Sequence, residues 1–543
     1  MARSGLAQRI EESLPDPEPP LHHHHRSPAS HRPRRKGILI AGWVLLAAVM
    51  IGIWFAGQNW PFRYRKMKPL LEDVFGSQIH ITQYRRVYFP NPGFIATDLT
   101  LRRKSAPDQP PIGTVQTFYV HGRWIDLLML RRRLELVDIT GFHLVLPPPG
   151  SKAAKEDFPP GSTSDFSGPD TPIARLEIHD SVLDVLRDNG KRFTFPVRQL
   201  HIENMQKGRA MKYAVDMDNA IPHGQIRASG SFGPLSASNP GETLVSGDFE
   251  AAHFNLSDVG KIHGLMYASG KFSGRLDAIR TTADTQTPDF AVGDGQPTSI
   301  AGRIDCTVNG LTGDVVYHSM EARAGSTTVQ AKGDTAGKNG KSTNLDLVVM
   351  GGRAQDLLRP FLHKDPPITG AVELHAHAYL APSQEGDFFH RLHVTGAFDV
   401  PREKVTDHDT ERNLSAFSKR AQGEKAPNTD NDKTTPVPAA ISSLKGPASI
   451  EDAIVTTRGL AFEVPGAHAR LDGTFNLHTS AVHLSGDVAT KADIANDATG
   501  WKSILLKPLA PFFRKKHAGA VIPIAVTGQP GSYKVTQNLM HRK

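Results

Sequence analysis

The chain has 543 residues, 22% of them charged and 39% apolar, with a formal net charge of +8. That balance excludes wholesale disorder, while the length allows either several domains or one long architecture. Residues 1–68 hold 11 Lys and Arg against 4 Asp and Glu, and the remaining 475 residues hold 52 against 51. The basic excess is therefore local, which excludes a nucleic-acid footprint on the main body. A single cysteine, Cys306, excludes an intramolecular disulfide, a zinc-thiolate cluster, an iron–sulfur site and a CxxC redox pair.

Residues 1–36, rich in Pro, Arg, His and Ser, read as a disordered basic tail, and the run His22–His25 reads as solvated. Residues 37–57 read as a transmembrane anchor. The stretch Ile38–Ala56 carries no charge and, as a helix of about 1.5 Å per residue, spans nearly the ~30 Å of a hydrocarbon core. Ile38, Trp43, Leu45, Val49, Ile53, Trp54 and Phe55 are its membrane-facing candidates. The exit Trp54-Phe55-Ala56-Gly57 lacks the small residues of a signal-peptide cleavage site. Five basic residues before the span against four after it give a narrow vote for a cytoplasmic N-terminus.

Beyond the anchor, Pro69–Phe75 reads as a short amphipathic helix, and strands then dominate. His80–Arg103, HITQYRRVYFPNPGFIATDLTLRR, reads as strand, Pro-Asn-Pro-Gly turn, strand, with Tyr88, Phe89 and Phe94 expected to start the sheet at the bilayer surface. Residues 61–147 form an N-terminal β region, 148–171 a flexible linker, 172–400 a central β region, 401–438 a helix and disordered insertion, and 439–543 a C-terminal β region. Helical candidates are Ile125–Arg131, Ser257–Ile262, Ala354–Leu362, Lys404–Ala421 and Ile504–Phe513.

Alternation is cleanest late in the chain. In Ala467–His478, Ala467, Ala469, Leu471, Phe475 and Leu477 share one face, with His468, Arg470, Asp472 and Thr474 on the other. Val482, Leu484 and Val488 continue the pattern. Val372, Leu374, Ala376, Ala378 and Leu380 alternate with Glu373, His375, His377 and Tyr379. One apolar and one wet face per strand, joined by short turns, predict an antiparallel meander with few helices and argue against a parallel βαβ sheet.

Catalytic motifs are absent from the sequence: no HExxH, GxSxG, Walker A, EF-hand loop or strand-linked GxGxxG occurs. His375 and His377 lack a carboxylate at fixed spacing and read as wet-face histidines rather than a metal pair. Cys306 alternates with Ile304 and Val308 as a strand residue, and Asp284 and Asp289 read as turn-formers around TPDF. The expectation is a non-enzymatic protein with no cofactor and no metal.

The order of several segments resembles the AsmA family of bacterial inner-membrane-anchored proteins. The carriers are the N-terminal anchor, the stretch Phe75–Ile81, FPNPGFIATDLTLRR at Phe89–Arg103 and IGTVQTFYV at Ile112–Val120. They continue through Asp126–Pro147, IPHGQIRASGSFGP at Ile221–Pro234, TPDFAV at Thr287–Val292 and VNGLTGDVVY at Val308–Tyr317. The set closes with Ser443–Leu477 and GAVIPIAVTGQPGSYKV at Gly519–Val535, where Gln529 and Gly531 replace a more usual Thr-bearing turn.

The resemblance implies an elongated, twisted β-groove, a half-tube whose apolar concave face carries acyl chains. It implies a single-pass inner-membrane protein with a periplasmic bulk, a phospholipid or other acyl lipid as ligand, the inner membrane and envelope proteins as partners, and a role in outer-membrane lipid homeostasis. Leu471, Phe475, Leu477, Val482, Leu484, Val488, Val372, Leu374 and Leu380 are then the candidate lipid-facing residues. The alternative, which alternation alone does not separate, is a structural or regulatory envelope scaffold with a closed β-sandwich core.

Overall fold

The structure, a computed structural model, describes residues 49–50, 60–74, 77–103, 110–147, 171–186, 190–206, 208–234, 239–337, 340–366, 368–382, 388–405, 411, 415, 418–419, 422, 442–490, 521–529 and 534–537. Residues 1–63 and 64–543 form separate compact units. Of the expected anchor only Val49 and Met50, both helical, fall among the described residues. No helix of the described residues is long and apolar enough to cross a membrane. The expected helix Ile504–Phe513 and nearly all of both expected linkers also lie outside the described residues.

The second unit opens with α1 (Tyr64–Val74), β1 (Gln78–Val87), β2 (Gly93–Arg102), β3 (Gly113–His121), α2 (Trp124–Leu128) and β4 (Leu134–Leu146). Next come β5 (Ile173–Leu186), β6 (Arg192–Met205), β7 (Met211–Asn219), β8 (Gly224–Phe232), β9 (Leu244–Asn255), β10 (Ile262–His263), β11 (Leu265–Arg275) and β12 (Ala278–Val292). These lead to β13 (Thr298–Val308), β14 (Val315–Ala324), β15 (Thr327–Ala336), β16 (Ser342–Arg353), α3 (Ala354–Leu358), β17 (Ile368–Leu380), α4 (Phe388–Arg391) and β18 (Leu392–Val405). The chain closes with β19 (Ser442–Glu451), β20 (Ile454–Val464), β21 (Ala467–Asn476), β22 (Val482–Thr490), β23 (Val521–Gly528) and β24 (Lys534–Gln537).

Among the described residues all 24 strands belong to one sheet, which is not closed. Each strand pairs with its neighbour in sequence, apart from the short β10, which lies against β12 while β9 pairs with β11. The ladder is antiparallel except at one place. β4 and β5 run parallel, Leu134 opposite Ile173 and Leu146 opposite Val185. A parallel pair needs its connection to return the whole length of a strand. Here that connection is the segment 148–171, so the Pro- and Gly-rich stretch coincides with the reversal.

Several expectations change in detail. The first helix begins at Tyr64 and keeps Pro69 inside it. TPDF is no turn: Thr287–Phe290 lies within β12, where the register shifts between Thr287 and Phe290. Asp284 instead pairs with Arg303 at 2.9 Å, and Asp289 Oδ1 accepts the Leu265 N–H at 3.0 Å. Lys404 and Val405 finish β18 rather than starting a helix. Phe94, expected at the bilayer surface, is 1% exposed and stacks against Tyr84 with centroids 5.1 Å apart.

The ribbon is coiled. Val292, Phe389 and Ala453 form one buried cluster, with Phe290, Phe361, Phe388 and Leu477 packed on it. β12 and β20 stand eight ladder steps apart, roughly 40 Å in a flat stack at about 4.8 Å per step. Phe389 of α4 bridges these ends, lying near Gly293 on one side and against His478 on the other, so the sheet must curl between them. His390 Nδ1 lies 2.6 Å from Asp452 Oδ1 and ties α4 to the β19–β20 turn.

The parallel pair yields a test. Its connection must span the 13-residue β4, about 43 Å at ~3.3 Å per residue. Shortening 148–171 below about 12 residues should abolish β4–β5 pairing, because even an extended chain then falls short. Loss of amide-exchange protection across β4 and β5, with milder truncations tolerated, is the expected result.

Candidate functional site

Residues paired across a sheet share a face, so register alone traces what each face presents. One row runs Tyr84, Ala96, Phe118, Ile139, Ile178 and Leu200 from β1 to β6. It continues through Val215, Ala228, Phe249, Gly270, Ala283 and Ile304 to β13. Met320, Ala331, Leu347, Ala376, Gly396 and Ala448 then carry it to β19. No member is charged.

The next row on the same face starts at Phe94, Val120, Val137, Leu176, Ile202 and Tyr213. It passes Phe272, Cys306, Tyr317, Leu345 and Val394 and reaches Ile450, Val455, Phe475 and Val482. The opposite face differs from β4 to β14: Thr140, His179, Gln199, Asp216, Arg227, Glu250, Ser269, Asp284, Arg303 and Glu321 stand in one register row.

Burial along the apolar face changes with position. At the start it is covered: Ala96, Phe118 and Ile139 are buried, and α1 contributes the buried Leu71. The helix is held there by Tyr64 against Tyr84, centroids 5.4 Å apart, and by Glu72 Oε1, which accepts the Ile79 N–H at 3.2 Å. From β5 to β11 cover thins, and it returns over the later strands, where Cys306, Ala331, Val349 and Leu471 are buried. Ile178, Leu200, Val215 and Phe249, and likewise Leu176, Ile202, Tyr213 and Phe272, are all half-buried. These are large side chains on a face that other described residues leave partly open.

Aromatic rings pave part of this face. Phe272 lies beside Gly247 and Phe249 beside Gly270, and the two ring centroids are 6.3 Å apart. A Cβ at Gly270 would stand 2.8 Å from the Phe249 ring and 2.2 Å from the Thr282 carbonyl oxygen. The glycines thus give the rings a place to lie flat across neighbouring strands.

The candidate residues read from sequence divide into two groups. Leu471 and Val488 are buried with Leu460, Val464, Ala467 and Ala469, and Leu484 packs on that cluster. Val372 is buried with Val349, Ala354 and Val400, and Leu374 packs there. Phe475, Val482 and Leu380 are half-buried, and Leu477 lies past the end of β21 in the cluster around Phe389. The most open stretch, β5 to β11, was missed. Its signal was present in RLEIH at 175–179 and QLHIE at 199–203, where apolar and polar residues alternate.

The polar face holds two clusters of titratable groups. Asp184, 2% exposed, accepts from Thr194 Oγ1 at 2.6 Å and Arg192 at 3.2 Å, with His143 Nε2 at 2.8 Å. Burial pushes its carboxyl up, but these hydrogen bonds and the charge of Arg192 outweigh burial and hold it below the ordinary value. Asp138, Glu177 and His179 place ligand-type atoms within 4.8 Å of one another. Glu177 is engaged by His179 at 3.5 Å and His201 at 3.7 Å, so its carboxylate already has partners on its own strand and on β6. His375 and His377 are exposed, and His377 pairs with Asp346 at 2.9 Å. Cys306 is buried, and burial followed by the charge of Asp305 pushes its thiol up, away from the reactive thiolate.

Two outcomes follow. Gly270→Ala should cost about 1–3 kcal/mol, read as a lowered urea midpoint, because both a ring and a backbone carbonyl must move. Asp184→Asn should cost about 1–3 kcal/mol at neutral pH. A carboxyl held below its usual value stabilises the fold fully above that value and loses the contribution as pH falls from there through the lowered folded-state value. The difference in melting temperature between wild type and variant should therefore begin to shrink only below about pH 4 and close as pH falls through the lowered folded value.

Comparison of the chain with protein-family models and with curated proteins gives no match.

Proposed function

We propose that the chain holds or conducts an acyl lipid along the apolar face of its sheet, which acts as a twisted half-tube groove. The observation that carries this is the uncharged row from Tyr84 to Ala448, with its large side chains half-buried from β5 to β9. A soluble protein ordinarily covers such a face, and one left partly open over many strands marks a binding surface. An acyl chain is the ligand that matches it: apolar, extended, and indifferent to which side chain it meets.

The reading is non-enzymatic. In it, the span Ile38–Ala56 anchors the protein in a bacterial inner membrane, and the β ribbon stands in the periplasm and serves envelope lipid homeostasis. Support for this part comes from the order of segments that resembles the AsmA family and from the long uncharged stretch itself.

The test is direct. Lipid extracted from the purified full chain should contain stoichiometric acyl lipid by mass spectrometry. Leu200→Asp and Phe249→Asp should lower bound lipid several-fold and leave the melting temperature little changed, because water reaches these positions. Leu471→Asp buries a carboxylate in a packed cluster and should cost several kcal/mol. Equal destabilisation by all three, with no lipid in the wild type, would show the face to be ordinary core.

A further inference from the structure

A second apolar surface lies at one end of the first strands. The β1–β2 turn exposes Tyr88 and Phe89, the latter at 87%. The β3–β4 connection exposes Ile125, Leu128, Met129 and Leu130, reaching 75% at Leu128 and 90% at Leu130. Gly122 N–H donates to the Pro92 carbonyl at 2.9 Å and Trp124 Nε1 to the Pro90 carbonyl at 3.1 Å, so the two loops are tied together. Leu130 also holds a φ of 53°, a left-handed backbone that a leucine rarely adopts. Full exposure and an unfavourable backbone on one large apolar residue are costs that a partner surface would offset.

Charge identifies the partner. Arg123, Arg131, Arg132 and Arg133 flank the apolar residues and are exposed, and Arg85 and Arg86 stand on the adjoining end of β1. Arg86 lies 5.9 Å from the Tyr88 ring centroid. The only acid between residues 122 and 134 is Asp126, which is buried. An apolar tip collared by arginines, with an aromatic residue at its edge, matches the boundary between acyl chains and phosphate headgroups.

We propose that the β1–β2 turn and the β3–β4 connection form a docking tip for an anionic phospholipid bilayer. Phe89, Leu128, Met129 and Leu130 enter the headgroup boundary, and Arg123 and Arg131 to Arg133 take the lipid phosphates. This surface stands apart from the apolar face of the sheet and docks whether or not that face holds lipid.

The experiment uses the full chain in the Cys306→Ser background with Leu130→Cys carrying an environment-sensitive fluorophore. It is reconstituted in nanodiscs of phosphatidylcholine alone or mixed with phosphatidylglycerol, and Gln330→Cys on the polar face serves as control. With anionic lipid the probe at position 130 should shift to the blue and be quenched by spin-labelled lipid, while the control stays aqueous. Changing Arg131, Arg132 and Arg133 to Gln should lower the docked-to-free ratio on the order of a hundredfold, and added salt should lower it as well. An aqueous probe in both lipids overturns the proposal. A blue shift that spin-labelled lipid does not quench overturns it too, since the tip is then buried in protein. A chain that fails to migrate with anionic nanodiscs does the same.

Discussion

Register is the constraint on which the structure rests. Side chains alternate along a strand with a period of two, so a slip of one residue would exchange the apolar and polar faces of that strand. Over a ladder of this length such a slip would break both rows at once. The ladder avoids it by absorbing odd spacings in bulges. On β14, Tyr317 and Met320 are three residues apart, yet they pair with Gly333 and Ala331 on β15, two apart, and both join the apolar face. Val349 and Gly352 on β16 stand in the same relation to Leu374 and Val372 on β17. The bulges keep the face continuous.

That constraint also decides how much was legible. Ala467–Asn476 alternates without a break, so its strand and its apolar face could be read directly from residue order. The same holds for the strand–turn–strand at Gln78–Arg102 and for the short helices at 125 and 354. β14 could not be read this way, because YHSM breaks a period of two and only its partner strand shows why. Neither could the depth of burial. Leu471 and Leu200 are indistinguishable by pattern, but the first is packed with five other buried residues of its cluster while the second is half-open. Cover is a tertiary property, supplied at the start of the sheet by α1 and Leu71.

The polar face is organised by pairing rather than burial. Arg198 reaches Asp216 and Asp218 at 2.9 Å, Arg227 reaches Asp216 at 3.1 Å, and Arg303 reaches Asp284 at 2.9 Å. Such exposed pairs add little stability each. Their value lies in register, since opposite charges directly across a strand pair favour one alignment over its slipped neighbours. Asp184 is the exception, a nearly inaccessible carboxylate whose three partners come from β4 and β6 on either side of it. It fastens the one junction where the ladder changes direction.

The meander has a consequence for how such a chain can change length. Because almost every strand touches only its two neighbours, a hairpin gained or lost in the interior alters the ladder by about 10 Å and leaves the remaining pairings in place. A single strand gained or lost would reverse the direction of everything after it. Growth by duplication is therefore quantised in pairs of strands. The parallel junction at β4 and β5 is the one point that escapes this rule, since its long connection already lets the chain re-enter the sheet in either direction.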